Sequence, residues 1–180
     1  MKKMKKHCLI VIDMQEDFIS GSLANKSAQD IIPIIVDEIE NGEYDHIVFT
    51  QDTHTPNYLN TPEGKALPVE HCIKDTKGWE INKDIEKAAL ISDSQLSWFE
   101  KPTFGSLGLL SYIQAQGDFD EIVMCGTCTD ICVVSNALIL KTLKPDLKIT
   151  VLGKACAGVT HEKHEAALNV MDSCQINVIR

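Results

Sequence analysis

The stretch I-V-M-C-G-T-C-T-D-I-C-V-V-S-N-A, residues 122–137, decides how this chain is to be read. It opens on a short apolar run of the kind that fills a strand buried on both faces. Gly126-Thr127 breaks the run, and from Asp130 a helical pattern takes over. Cys132 therefore falls in the first turn of a helix, where unpaired backbone N–H groups and the positive end of the dipole favour a thiolate. A thiolate so placed is a candidate nucleophile. Cys125, Cys128 and Cys132 share the segment, so the residues also admit a metal cluster or a redox pair.

The same strand-then-helix rhythm runs outward in both directions. Residues 8–12, 47–50, 97–100, 122–125, 149–152 and 176–179 read as strands, and 28–41, 107–116, 130–143 and 161–173 as helices. This alternation predicts an α/β fold, three layers deep, with a central and mostly parallel six-stranded sheet. Residues 53–80 break the rhythm, being rich in Thr, Pro, Asn and charge; a connection that long inside a compact domain is usually functional.

A length of 180 residues suits a single domain over 1–180. A net charge of −9 argues against nucleic acid or an anionic membrane as partner. The start M-K-K-M-K-K imitates a basic signal-peptide region, but the apolar run behind it stops at Asp13, and no run approaches transmembrane length. Seven cysteines, an odd number, fit reduced thiols and a cytoplasmic protein better than a disulfide framework.

In parallel sheets, ligands collect at the carboxyl ends of the strands. Asp13 ends the first strand, Asp52 and His54 follow the second, Lys101 the third, and the cysteine segment the fourth. Singly, Asp13 reads as a turn residue, Lys101 as a surface lysine and Cys132 as a small core residue. Jointly they make a chemical set, since a carboxylate accepts a thiol proton and a lysine stabilises the resulting thiolate. Asp52, His54 and His71 supply a carboxylate and two imidazoles, ligands that suit zinc, iron or manganese and leave positions open for water or substrate. His7, His46, His161 and His164 lie at no predicted strand end and read as non-catalytic. A Cys125-x-x-Cys128 zinc site lacks an evident second knuckle. As a redox pair, the motif would need its first cysteine to open a helix, whereas Cys125 ends a strand.

With these residues in view, the chain resembles the cysteine hydrolase superfamily of isochorismatases, nicotinamidases and related amidases, over nearly its whole length. G-T-C-T-D-I-C-V is similar to the family's Gly-x-x-Thr-Asp-x-Cys-Val signature, whose last cysteine is the nucleophile. The resemblance implies an isochorismatase-like fold and a catalytic set of Asp13, Lys101 and Cys132. It also implies a cis peptide between Thr127 and Cys128, with the Cys128 and Cys132 N–H groups as oxyanion donors. D-T-H and H-C-I-K-D-T-K-G-W-E resemble the metal-binding nicotinamidase branch, in which residues matching Asp52, His54 and His71 hold one divalent ion.

The activity implied is hydrolysis of a small carboxamide, nicotinamide to nicotinate and ammonia, through a thioester on Cys132 and in the service of NAD salvage. Phe18 and Phe104 are the candidate apolar walls for the ring. Family members often form dimers or larger assemblies, which leaves a homo-oligomer open. Three departures from the branch stand out. Pro68 occupies the place of a ring-stacking Trp, no further histidine lies between His54 and His71, and Asp75 replaces a usual Gly. The alternatives are another small amide or a vinyl ether as substrate, and, from a different class, thiol redox chemistry on Cys125 and Cys128.

Overall fold

The computed structural model describes residues 6–180; residues 1–5 of the basic start lie outside it. Six strands, β1 (His7–Ile12), β2 (His46–Asp52), β3 (Gln95–Lys101), β4 (Glu121–Thr127), β5 (Lys148–Ala157) and β6 (Asn177–Ile179), form one sheet in the order β3-β2-β1-β4-β5-β6. Every pairing is parallel, so the sheet is all-parallel rather than mostly so. The helices are α1 (Glu16–Ile19), α2 (Lys26–Asp30), α3 (Ile32–Asn41), α4 (Pro62–Ala66), α5 (Lys83–Leu90), α6 (Leu107–Ala115), α7 (Val134–Leu143) and α8 (His161–Ser173).

The central strands are apolar on both faces because both faces are covered. Ile10, Ile12, Val48 and Met124 pack with Leu109 of α6, Leu140 of α7 and Leu168 of α8. On the other face Leu9, Val11 and Phe49 meet Ile35 and Ile39 of α3 and Ile85 of α5. Each such side chain stabilises the fold by roughly 1.5–3 kcal/mol through removal of apolar surface from water. Among the described residues no helix is long and apolar enough to cross a membrane.

The helices α1, α4 and α5 have no counterpart in the sequence expectation, and three of the expected elements differ by more than a few residues at their ends. The helix expected over 28–41 is two helices. Asn25 caps α2 by accepting from the Ser27 amide, and Pro33, with no N–H to donate back to Gln29, starts α3 afresh. The helix expected from 130 begins as a π turn, Thr129–Val133, before becoming α7. The fifth strand runs on through Gly153 and Lys154 to Ala157, and its register with β4 shifts between Met124 and Gly126.

Strand order reverses between β1 and β4, the place where parallel sheets open a crevice at their carboxyl ends. Gly126 sits there at φ +118°, and a Cβ on it would lie 2.1 Å from the Ile12 carbonyl oxygen. The close approach of two main chains needs glycine. Gly126→Ala is expected to cost at least about 2 kcal/mol, seen as a lower urea midpoint with an unchanged m value.

Candidate active site

Asp13 follows β1 with φ +46°, a left-handed conformation that turns the chain at the strand end. Its amide donates to the Thr50 carbonyl, and the Thr50 hydroxyl donates to Oδ1 at 2.6 Å. Lys101 closes β3 and is 1% exposed. Its ammonium lies 2.7 Å from Asp13 Oδ2, 3.3 Å from Cys132 Sγ and 3.5 Å from Asp52 Oδ1. The 2.7 Å approach pairs the ammonium directly with Oδ2. The three residues predicted as a set do meet, from three strand ends.

Burial raises the Asp13 pKa against the pull of Lys101. Burial also pushes the Cys132 thiol well up, with the Asp13 charge adding to it and Lys101 opposing. Lys101 itself is held strongly protonated: burial disfavours its charge, but Asp13, Cys132 and Asp52 outweigh that. Desolvation thus works against the thiolate that helix position alone favours, and the Asp13 carboxyl lies at hand to take the thiol proton.

Cys125 is fully buried, its thiol directed at the Ile10 carbonyl, so no exchange partner can reach it. All seven cysteines are free. The peptide bond between Thr127 and Cys128 is cis. Cys128 is partly exposed, and burial of its thiol pushes the pKa up to about 11. The amides of Ile131 and Val133, on either side of Cys132, both donate to the Cys128 carbonyl at 3.1 Å.

The irregular segment after β2 folds back onto the strand end. His54 N donates to Cys72 O and Lys74 N to His54 O, which sets the His54 and His71 rings 4.9 Å apart. Asp52 Oδ2 is 2.9 Å from His54 Nε2 and 3.5 Å from His71 Nε2. Burial works against its charge, but the two imidazoles and Lys101 hold its carboxyl well below the usual range.

Glu63, on α4, completes the group. Its Oε1 lies 3.8 Å from His54 Nε2 and 3.9 Å from His71 Nε2, and one donor atom from each of the four residues falls within 4.8 Å of the others. His71 Nδ1 is 2.8 Å from the Val69 carbonyl, which fixes the tautomer that presents the Nε2 lone pair to the cluster. Two imidazole nitrogens and two carboxylates facing one point fit a borderline divalent metal.

Sequence reasoning missed Glu63 because a glutamate in a polar helical turn has no distinguishing pattern. It also missed Gln15, a buried amide that accepts from Asp52 N at 2.7 Å and donates to Asp52 O at 2.9 Å. Asp17 accepts from the Cys72 amide beside His71, and the Phe18 ring lies 5.7 Å from the His71 ring. Residues 15–18 therefore hold two of the metal-ligand candidates in place.

Between the two clusters lies a cavity of about 760 Å³. Asp52, His71 and Cys132 line its base, and Phe18, Leu67, Phe104 and Ile131 its apolar walls. Both predicted wall residues are present, Phe18 buried and Phe104 half exposed. Leu67, next to Pro68, is tied down by the Tyr58 hydroxyl donating to its carbonyl. Asp75 adopts φ +64°, a conformation that favours glycine.

A family model described as the isochorismatase domain matches residues 7–180. The nicotinamidase/pyrazinamidase of Bacillus subtilis superposes with a TM-score of 0.82 at 27% identity, over 97% of this chain and 100% of that one. The pyrazinamidase of Pyrococcus horikoshii, in complex with zinc, gives a TM-score of 0.76 at 27% identity, over 97% and 99%. The nicotinamidase of Saccharomyces cerevisiae is 26% identical over 172 residues, 72% of this chain and 79% of that protein. The chain belongs to the isochorismatase family.

Elemental analysis provides a direct check on the donor cluster. His71→Ala is expected to purify without stoichiometric divalent metal, and Glu63→Gln to keep the ion with affinity weakened about tenfold. Undiminished metal in His71→Ala would remove that residue from the site.

Proposed function

We propose that this hydrolase of the isochorismatase family is a metal-assisted cysteine amidohydrolase that converts nicotinamide to nicotinate and ammonia. The observation that carries the reading is the position of Lys101, which touches Asp13, Cys132 and Asp52 at once. It joins a thiol–carboxylate pair to a metal-ligand cluster under one apolar cleft. The likeness to nicotinamidases and pyrazinamidases over nearly the whole chain supports the same substrate class.

Asp13 Oδ2 takes the Cys132 thiol proton, and Lys101 stabilises the thiolate as it forms. The sulfur attacks the amide carbonyl carbon, and the Cys128 and Cys132 N–H groups hold the oxyanion. Each such donor is worth ~3 kcal/mol in the transition state. Asp13 returns its proton to the departing nitrogen, ammonia leaves and a thioester remains. Water then adds to the thioester carbonyl while Asp13 accepts its proton; collapse expels the Cys132 thiolate, which takes that proton back from Asp13, and the acid product leaves as its carboxylate with its proton passing to ammonia or solvent. A divalent ion held by Asp52, His54, Glu63 and His71, zinc in the first instance with iron or manganese as alternatives, would supply a Lewis-acid contact for the pyridine nitrogen. Phe18 and Phe104 flank the ring and exclude water.

A neutral substrate suits the cleft better than an anionic vinyl ether. Lys26 stands at the cavity edge but is already paired with Asp30, and Lys101 is taken up by the catalytic set. The free thiols agree with action in the cytoplasm.

Ammonia release from nicotinamide and pyrazinamide, with zinc, iron or manganese supplied, tests the reading. Cys132→Ala is expected to lower kcat by about 10³-fold or more, while Cys125→Ala stays within about threefold of the parent because its thiol only packs. Equal losses in the two variants, or turnover of aliphatic amides alone, would sink the assignment.

A further inference from the structure

The side chain of Asn136 has no place in the chemistry above, yet it is fully buried beside it. It lies on α7, one turn beyond Cys132. Its Nδ2 donates to the Cys132 carbonyl at 2.8 Å and to the Phe104 carbonyl at 3.0 Å. Its Oδ1 accepts from the Ser106 amide at 2.9 Å. One amide thus satisfies three backbone groups, one on the helix that carries the nucleophile and two on the connection that carries the cleft wall.

That connection, residues 102–106, is otherwise weakly held. Lys101 fixes its start, and Ser106 fixes its end by capping α6 through the Leu109 amide. Between them Phe104 lines the cavity while 47% exposed, so packing alone does not set its distance from the sulfur. An alanine at 136 would leave the buried Ser106 amide without its acceptor and remove a donor from the Cys132 and Phe104 carbonyls, and an aspartate would keep the acceptor for Ser106 but set a carboxylate against two carbonyl oxygens.

We propose that Asn136 is a positioning residue that sets the spacing between the Phe104 wall and Cys132, and that it acts on substrate binding through Phe104. The inference rests on the amidohydrolase reading for its kinetic test, and hydrogen exchange keeps the two separable.

With the metal-loaded enzyme and nicotinamide, Asn136→Asp is expected to raise KM about tenfold with kcat within about threefold. Phe104→Ala is expected to do the same, and the double variant to be no worse than Phe104→Ala alone. Additive losses, or a fall in kcat with KM unchanged, would overturn the proposal. If the parent enzyme does not turn over nicotinamide, the substrate reading fails, and amide exchange then decides the positioning role. Asn136→Ala should speed exchange of the Ser106 amide at least tenfold while core amides of β1 and β4 keep their protection. Unchanged Ser106 protection, or loss of protection throughout the sheet, would overturn it.

Discussion

A buried ammonium cannot stand alone. Lys101 is among the largest fully buried side chains in the protein, and a charge in that position is tolerated only where opposite charge and hydrogen-bonding groups surround it. Asp13 and Asp52 supply the charge and Cys132 the third contact. These partners come from the ends of β1 and β2 and from the turn after β4, so satisfying one cation requires four strand ends in register. The direct pairing of Asp52 with Lys101 across β2 and β3 is one visible part of that requirement. Loss of Lys101 would leave the Asp13 and Asp52 carboxylates without the cation between them.

Asp52 extends the same logic. One of its oxygens faces Lys101 and the other faces His54 and His71. The carboxylate therefore belongs to both clusters, and the Gln15 amide grips its backbone from both sides. This is why the D-M-Q-E-D-F stretch, residues 13–18, is dense in function: one residue faces the thiol, one clamps Asp52, one anchors the His71 turn and one lines the cleft.

What could be read from the sequence followed from locality. The strands and the helix over His161–Ser173 were legible because apolar periodicity is a local signal. Asp13, Lys101 and Cys132 were legible as strand-end residues, since parallel sheets gather such ends. The break at Pro33 interrupts an apolar pattern that by itself reads as one continuous helix. Gln15 and Asn136 were not legible because partners of theirs lie far along the chain, and Glu63 because a polar helical turn does not single out one carboxylate. Gln15 binds backbone 37 residues away and Asn136 backbone 30 residues away. No local pattern distinguishes a buried amide with such partners from an exposed one.

The glycine at the switch point divides the cleft into two kinds of surface. Gly126 presses against the Ile12 main chain directly before Thr127 and Cys128, which line the cavity. The floor at that point is made of peptide groups, whose positions no side-chain exchange can alter. The walls are Leu67, Phe18, Phe104 and Ile131, all on irregular or short elements that tolerate replacement. Exchange of a wall side chain therefore reshapes the cleft without moving the peptide groups of its floor.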